Sequence, residues 1–214
     1  MNILVVGANG QIGRHLVSKI QSTKEHTAIA MVRKEEQMAQ FESQGAKTAL
    51  VDLEGSVDDI ARAAKWADAI VFTAGSGGHT GADKTMMVDL DGAIKTMEAA
   101  KQAGVKRFVI VSAIGVHHRE KWMGSVPYYS AAKHYADVWL RESGLDYTII
   151  RPGGLTNDEG TGKVQVAFDL ERGSIPREDV ATTILASLED DHTIGKEVDM
   201  IGGDTPIKDA LSRL

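Results

Sequence analysis

Residues 5–16 read VVGANGQIGRHL, and the spacing of their glycines decides the fold. The run that leads in, NILVV over 2–6, is short, continuous and apolar, the pattern of a strand buried on both faces. Gln11 to Gln21 then reads as an amphipathic helix. Between them Gly7, Gly10 and Gly13 make a GxxGxxG turn. Glycines there permit a tight reversal and a close approach of backbone to an anion, while the helix N-terminus offers free N–H groups and a positive dipole end. A glycine triplet alone also makes ordinary turns. Strand before and helix after point instead to a dinucleotide pyrophosphate, held by Gly7, Asn9, Gly10, Gln11, Ile12 and Gly13.

The same alternation continues along the chain. Residues 28–32, 48–51, 69–72, 107–111 and 147–150 read as further buried strands. Helical patterns fill the gaps at Lys34 to Gln44, Ser56 to Lys65, about Thr80 to Ala103, and Tyr128 to Glu142. Gly104 and Gly144 stand where helix C-caps are expected. Alternating strands and helices imply parallel strands with right-handed crossovers. The expected fold is therefore α/β, a single doubly wound Rossmann-type parallel sheet with helices on both faces. After Arg151 the pattern loosens into RPGGLTNDEGTGK, then a short strand at 163–167, a helix in PREDVATTILASLED, a strand near Glu197 to Ile201 and a terminal helix. One domain over 1–214 is expected, with a small C-terminal cap mainly from 152–214.

Composition narrows the chemistry. The net charge of −6, with basic residues scattered, argues against nucleic acid. The absence of cysteine removes disulfides, thiolate metal sites and cysteine nucleophiles. MNILVVGANG lacks a basic leader and a long apolar run, so no membrane partner and a soluble cytoplasmic protein are expected.

The end of the second strand distinguishes the dinucleotides. NAD sites usually place an acid there to accept from the ribose 2′-OH. Here AMVRKEEQ puts Arg33 and Lys34 in that place, suited to a 2′-phosphate, and Glu35 and Glu36 follow only inside the next helix. NADP is expected over NAD. The plain alternative is that Arg33 begins a solvated helical turn.

Taken with GANGQIG, VDLEGS, FTAGSG, RFVIVSAIGV, YYSAAKHYAD, SGLDYTIIRPGGLTNDEGTG and IPREDVA, these features run through nearly the whole chain. The sequence resembles the short-chain dehydrogenase/reductase superfamily, in its atypical branch with NmrA-like NAD(P)-binding members. It is similar to small bacterial proteins described as NAD(P)-dependent epimerases or dehydratases. The resemblance implies that Asp52 and Leu53 border the adenine, and that Thr73, Ala74 and Gly75 pass under the ribose. It implies Arg151, Pro152 and Gly153 beside the nicotinamide. Homodimers built on helices beside the sheet are common in that superfamily, though no face of this sequence singles one out.

Tyr129 and Lys133 have the YxxxK spacing of the superfamily's active site, and an i,i+4 pair shares one helix face. The resemblance implies a lysine that holds the nicotinamide ribose and favours the tyrosinate, and a tyrosine that exchanges a proton with a small-molecule substrate. The third partner is less regular. In VSAIGVHH the one hydroxyl is Ser112, and Ile114 stands where members reading Ser-Ser-Ser carry the catalytic hydroxyl. Two residues along a strand keep the face but move the group by about 6.6 Å. Ser112 is the third catalytic candidate beside Tyr129 and Lys133, or else supports only the strand end or the cofactor. His117 and His118 in HHREKWMGS could serve as general acids near neutrality, or be solvated loop residues. Two adjacent histidines without a carboxylate set argue against a metal, and none is expected. Trp122 and Met123 could wall the nicotinamide or form a satellite cluster, and His79 sits in a turn beside the same mouth. The expected activity is an NADP(H)-dependent reduction of a small carbonyl compound; the alternative is a non-catalytic NADP(H)-binding sensor or regulator.

Overall fold

The computed structural model describes all 214 residues. Six strands alternate with helices: β1 (Asn2–Val6), β2 (Thr27–Val32), β3 (Lys47–Leu50), β4 (Ala69–Phe72), β5 (Arg107–Val111) and β6 (Asp146–Pro152). All six occupy the expected stretches. Their β-branched and other apolar side chains are buried on both faces, as in Ile3 to Val6 and Ala69 to Phe72, which a parallel sheet covered by helices requires.

The chain lays β1, β2 and β3 outward in one direction, returns to place β4 beside β1, and continues outward through β5 and β6. That reversal opens a crevice at the carboxyl ends of β1 and β4, the ligand position of doubly wound sheets. The C-terminal part extends the same sheet. Strand β10 (Lys196–Gly202) adds parallel to β6, β8 (Lys163–Ala167) pairs antiparallel to β10, and β11 (Thr205–Pro206) closes the edge. A separate two-stranded pair, β7 (Gly154–Thr156) with β9 (Ser174–Pro176), folds over the end of β6 and has no counterpart in the sequence reading.

Two apolar layers flank the sheet. Helix α1 (Gln11–Ser22) packs with α7 (Arg177–Leu188) and α8 (Ile207–Leu211) on one face, through Leu16, Val17, Ile20, Ile184 and Leu211. A short helix, α2 (Met38–Glu42), contributes Phe41 to this layer after a 3₁₀ turn at Glu35–Gln37. The other face carries α3 (Val57–Ala64), α5 (Gly92–Ala103) and α6 (Pro127–Arg141), through Ile60, Met97, Ala136 and Leu140. Gly104 ends α5 at φ +74°, as expected of a left-handed cap.

One departure bears on the site. The helix expected from about Thr80 to Ala103 begins as a single turn, α4 (Ala82–Lys84), and widens into a π-helical stretch at Thr85–Asp91 before α5. A π stretch shifts which side chains face inward, and such stretches recur at functional positions. No helix is long and apolar enough to cross a membrane.

Candidate active site

The glycine turn is built by close approach. Gly7 has φ +86°, and a Cβ there would lie 2.6 Å from the backbone of Ala74. A Cβ on Gly13 would stand 2.3 Å from the carbonyl oxygen of Gly7, so α1 can press against the turn only as glycine. Gly10 donates its N–H to Gly7 O at 2.9 Å and precedes α1 with no side-chain cap and no acid in the first helical turn. The helix start thus keeps its N–H groups and positive dipole end free for an anion, and the cradle fits a dinucleotide pyrophosphate. Thr73 Oγ1 donates to Val6 O at 3.0 Å, which ties the Thr73–Gly75 run across the end of β1.

The other residues expected on the nucleotide side lie in the turn before α1, on α1, and after β2 and β3. Ile12 is buried behind it and Gln11 is exposed. Asn9 Oδ1 accepts from Arg14 at 2.8 Å and from Gln40 at 2.6 Å, joining α1 to α2. Arg33 follows β2 directly, exposed and without an ion-pair partner, while Lys34 lies 3.5 Å from Glu36. Asp52 is exposed after β3 and accepts from Glu54 N at 2.9 Å, and Leu53 is buried beneath Gly92.

Tyr129 and Lys133 come together on α6. The Lys133 ammonium lies 5.9 Å from the Tyr129 ring centroid and 6.0 Å from that of Phe72. It donates to Val111 O at 3.2 Å and stands 3.3 Å from Asp89 Oδ1, with both side chains almost wholly buried. Asp89 comes from the π-helical stretch and also accepts from Ser76 N at 2.9 Å. Burial alone would pull the Lys133 pKa down; Tyr129 and Asp89 outweigh it and hold it above the ordinary value. A fixed positive charge therefore sits at the carboxyl ends of β4 and β5, beside a partly exposed phenol.

Behind the pair lies a closed ion cluster. Ser112 is buried, and its hydroxyl and Asp137 Oδ1 are both without a hydrogen-bond partner. Arg151, fully buried on β6, donates through Nε to Asp137 Oδ2 at 2.9 Å and through a terminal nitrogen to Glu197. Burial pushes the Asp137 carboxyl up against the opposing pull of Arg151. Pro152 and Gly153 are also buried: Pro152 O accepts from Ile114 N at 3.0 Å and Gly153 N donates to Met200 O at 2.8 Å. Arg151 thus braces the floor, and Pro152–Gly153 stitch β6 to its neighbours.

A family model described as NAD(P)H-binding matches residues 7–191. The chain belongs to that NAD(P)H-binding family. The match begins on the first glycine of the cradle and spans the crevice, α6, Asp137 and Arg151, ending before Glu197. Bacillus subtilis YhfK, described as an uncharacterized sugar epimerase, is 57% identical over 214 residues, covering 100% of each chain. A Bacillus halodurans protein provisionally described as an NAD-dependent epimerase/dehydratase is 44% identical, with a TM-score of 0.94 over 100% of each chain. The crystal structure of the oxidoreductase ylbE from Lactococcus lactis is 38% identical, with a TM-score of 0.90 over 100% of this chain and 96% of that one. The resemblance to NmrA-like NAD(P)-binding proteins is borne out at this level.

Within this NAD(P)H-binding chain, two groups beside the crevice come from separated elements. Asp89 had no signal in the sequence, because a regular helix register does not aim it at Lys133. Asp137 had one: it stands four residues beyond Lys133 and eight beyond Tyr129, on the same face of α6. His117 and His118 lie in the loop after β5 with ring centroids 4.2 Å apart. The His117 side chain is 7% exposed, and its pKa is lowered to about 4 by burial, with Arg151 adding to the effect. Trp122 Nε1 donates to Val116 O at 2.8 Å and packs beside His134, bracing that loop, while His79 is exposed.

Proposed function

We propose that the chain is an NADP(H)-dependent reductase of a small carbonyl compound, acting as a cytoplasmic enzyme of the short-chain dehydrogenase/reductase type. One observation carries the reading: a buried, charge-fixed Lys133 beside a partly exposed Tyr129 at the mouth of a dinucleotide cradle. When bound, the nicotinamide supplies the hydride that a carbonyl carbon accepts. Gly7, Gly10 and Gly13 bind the pyrophosphate, and Arg33 holds a 2′-phosphate by charge. Lys133 fixes the ribose and keeps positive charge beside the phenol. Tyr129 donates its proton to the carbonyl oxygen, so C=O becomes CH–OH as hydride and proton are added. Asp89 positions the Lys133 ammonium.

The relatives' names divide between epimerase and oxidoreductase. The simple reductase is favoured by the use made of residues after Pro152. Strands β8, β10 and β11 extend the sheet, leaving the short β7–β9 pair and the loop around Leu170–Arg172 to shape a substrate pocket. That is little with which to enclose a nucleotide sugar.

Purified protein with NADPH, screened against small aldehydes, ketones and quinones, tests the proposal through loss of NADPH absorbance. Tyr129→Phe is expected to lower turnover by about 100-fold while NADPH affinity is kept. Turnover unchanged in that variant would remove Tyr129 from the mechanism. A second reading, a non-catalytic NADP(H)-binding regulator, is favoured by the burial of Ser112, the one hydroxyl after β5. Tight NADPH binding with no turnover across the panel would decide for it.

A further inference from the structure

We propose that His117, His118 and Asp169 form a binding site for a single divalent transition metal, Zn²⁺ above all, with Asp199 orienting His117 from behind. One donor atom from each of the three lies within 4.8 Å of the others. His118 Nε2 is 3.5 Å from Asp169 Oδ2, and His117 Nε2 is 3.8 Å from Asp169 Oδ1. Nitrogen and oxygen ligands about 2.0–2.1 Å from a tetrahedral Zn²⁺ stand about 3.3 Å from one another, so the donors close on the ion from separations of at most 4.8 Å.

The independent observation is the condition of His117. Its side chain is 93% buried, and neither ring nitrogen has a hydrogen-bond partner. Buried polar atoms are nearly always partnered, so two orphaned nitrogens on one ring need an explanation. His118 Nε2 is buried and unpartnered as well. On the far side of the His117 ring, Nδ1 lies 3.8 Å from Oδ1 of Asp199, which is fully buried and also unpartnered at that oxygen. A carboxylate behind the second nitrogen of an imidazole is the arrangement that fixes tautomer and orientation in metal-bound histidines. A metal on Nε2 and the Asp199 carboxylate at Nδ1 would satisfy every one of these atoms.

Two imidazoles and one carboxylate suit Zn²⁺ better than Mg²⁺ or Ca²⁺, which prefer all-oxygen shells. Three protein ligands would leave a coordination position free for water or a substrate oxygen. Nearby cations oppose the site. Lys121 Nζ lies 2.6 Å from Asp169 Oδ1, and Arg151 acts on His117 through its charge. Lys121 can keep Oδ1 while the metal takes Oδ2, the oxygen nearer His118. The cluster is assembled from the loop after β5, the loop after β8, and β10, so Asp169 and Asp199 stand far from the two histidines in sequence.

The test uses the full chain, stripped with a chelator, dialysed, and titrated with Co²⁺ and Zn²⁺. One ion per chain is expected, and Co²⁺ should give the visible absorption bands of a low-coordinate N/O site. His118→Ala and Asp169→Ala, both at partly exposed positions, should each abolish saturable binding while far-UV circular dichroism stays unchanged. Asp199→Asn should weaken binding by about 10–100-fold, as for other groups behind a metal ligand. Lys121→Met should tighten it by removing a competing charge. His26→Ala, in the exposed Glu25–His26–Glu189 group, should change nothing. Absence of saturable binding in the wild type, or binding that survives both His118→Ala and Asp169→Ala, would overturn the proposal.

Discussion

Lys133 and Asp89 meet 3.3 Å apart with side chains 5% and 1% exposed, one from α6 and the other from the π-helical stretch. The widened helix brings the carboxylate to the ammonium. Removing one partner of a buried pair leaves the other charged without compensation, which typically costs about 3–5 kcal/mol. Asp89→Ala is therefore expected to lower unfolding stability by about 3 kcal/mol in urea denaturation. Asp89→Ala combined with Lys133→Met should recover most of that loss. A double variant no more stable than the single one would show that the cost is packing rather than charge.

Gly13→Ala is expected to cripple the nucleotide cradle. Its new Cβ would stand 2.3 Å from Gly7 O and 2.8 Å from Ala8 Cα, both backbone atoms that cannot turn aside. At Gly10 the nearest atom to an added Cβ is 3.1 Å away, a much milder conflict. NADPH affinity, read by fluorescence titration, should fall far more for Gly13→Ala than for Gly10→Ala. Equal effects would mean that the close approach at Gly13 does not shape the site.

Arg33→Ala tests the cofactor preference. The exposed guanidinium after β2 has no internal partner, so a 2′-phosphate would be its main contact. A charge-assisted hydrogen bond of about 1.5–3 kcal/mol corresponds to at least a tenfold loss of NADPH affinity. NADH affinity should be unchanged, and added salt should narrow the wild-type preference. Wild-type protein that binds NADPH and NADH equally would refute the assignment.

The strands, the helices and the glycine cradle were legible because their signals are local. Burial on both faces writes continuous apolar runs into β1 and β4, and the cradle writes three glycines into seven residues. The YxxxK pair was legible for the same reason: one helix face repeats every four residues. Asp89 was not, since a π stretch breaks the register that sequence reading assumes. Nor was the company of His117, because Asp169 and Asp199 arrive from 52 and 82 residues further along the chain. The family resemblance places Arg151 only beside the nicotinamide. Its burial follows from long-range pairing with Asp137 on α6 and Glu197 on β10.

That buried cluster gives the last prediction. Arg151 is fully buried and is the main group opposing the upward push of burial on the Asp137 carboxyl. Arg151→Met removes that opposition while keeping most of the apolar stem. Asp137 must then either remain charged without its partner or take up a proton, so its folded pKa climbs further above the unfolded value. A carboxyl whose pKa is raised on folding costs nothing at low pH, where both states are protonated; the native state loses stability as pH climbs from the unfolded pKa to the folded one, and the loss is constant above it. The destabilisation of Arg151→Met relative to wild type should therefore grow from about pH 4 upward, where the unfolded carboxyl begins to ionise. By pH 7 it should reach about 3 kcal/mol or more in urea denaturation. Adding Asp137→Asn should flatten this dependence, because the titrating group is gone. A difference between Arg151→Met and wild type that is constant with pH would place the role of Arg151 in packing alone.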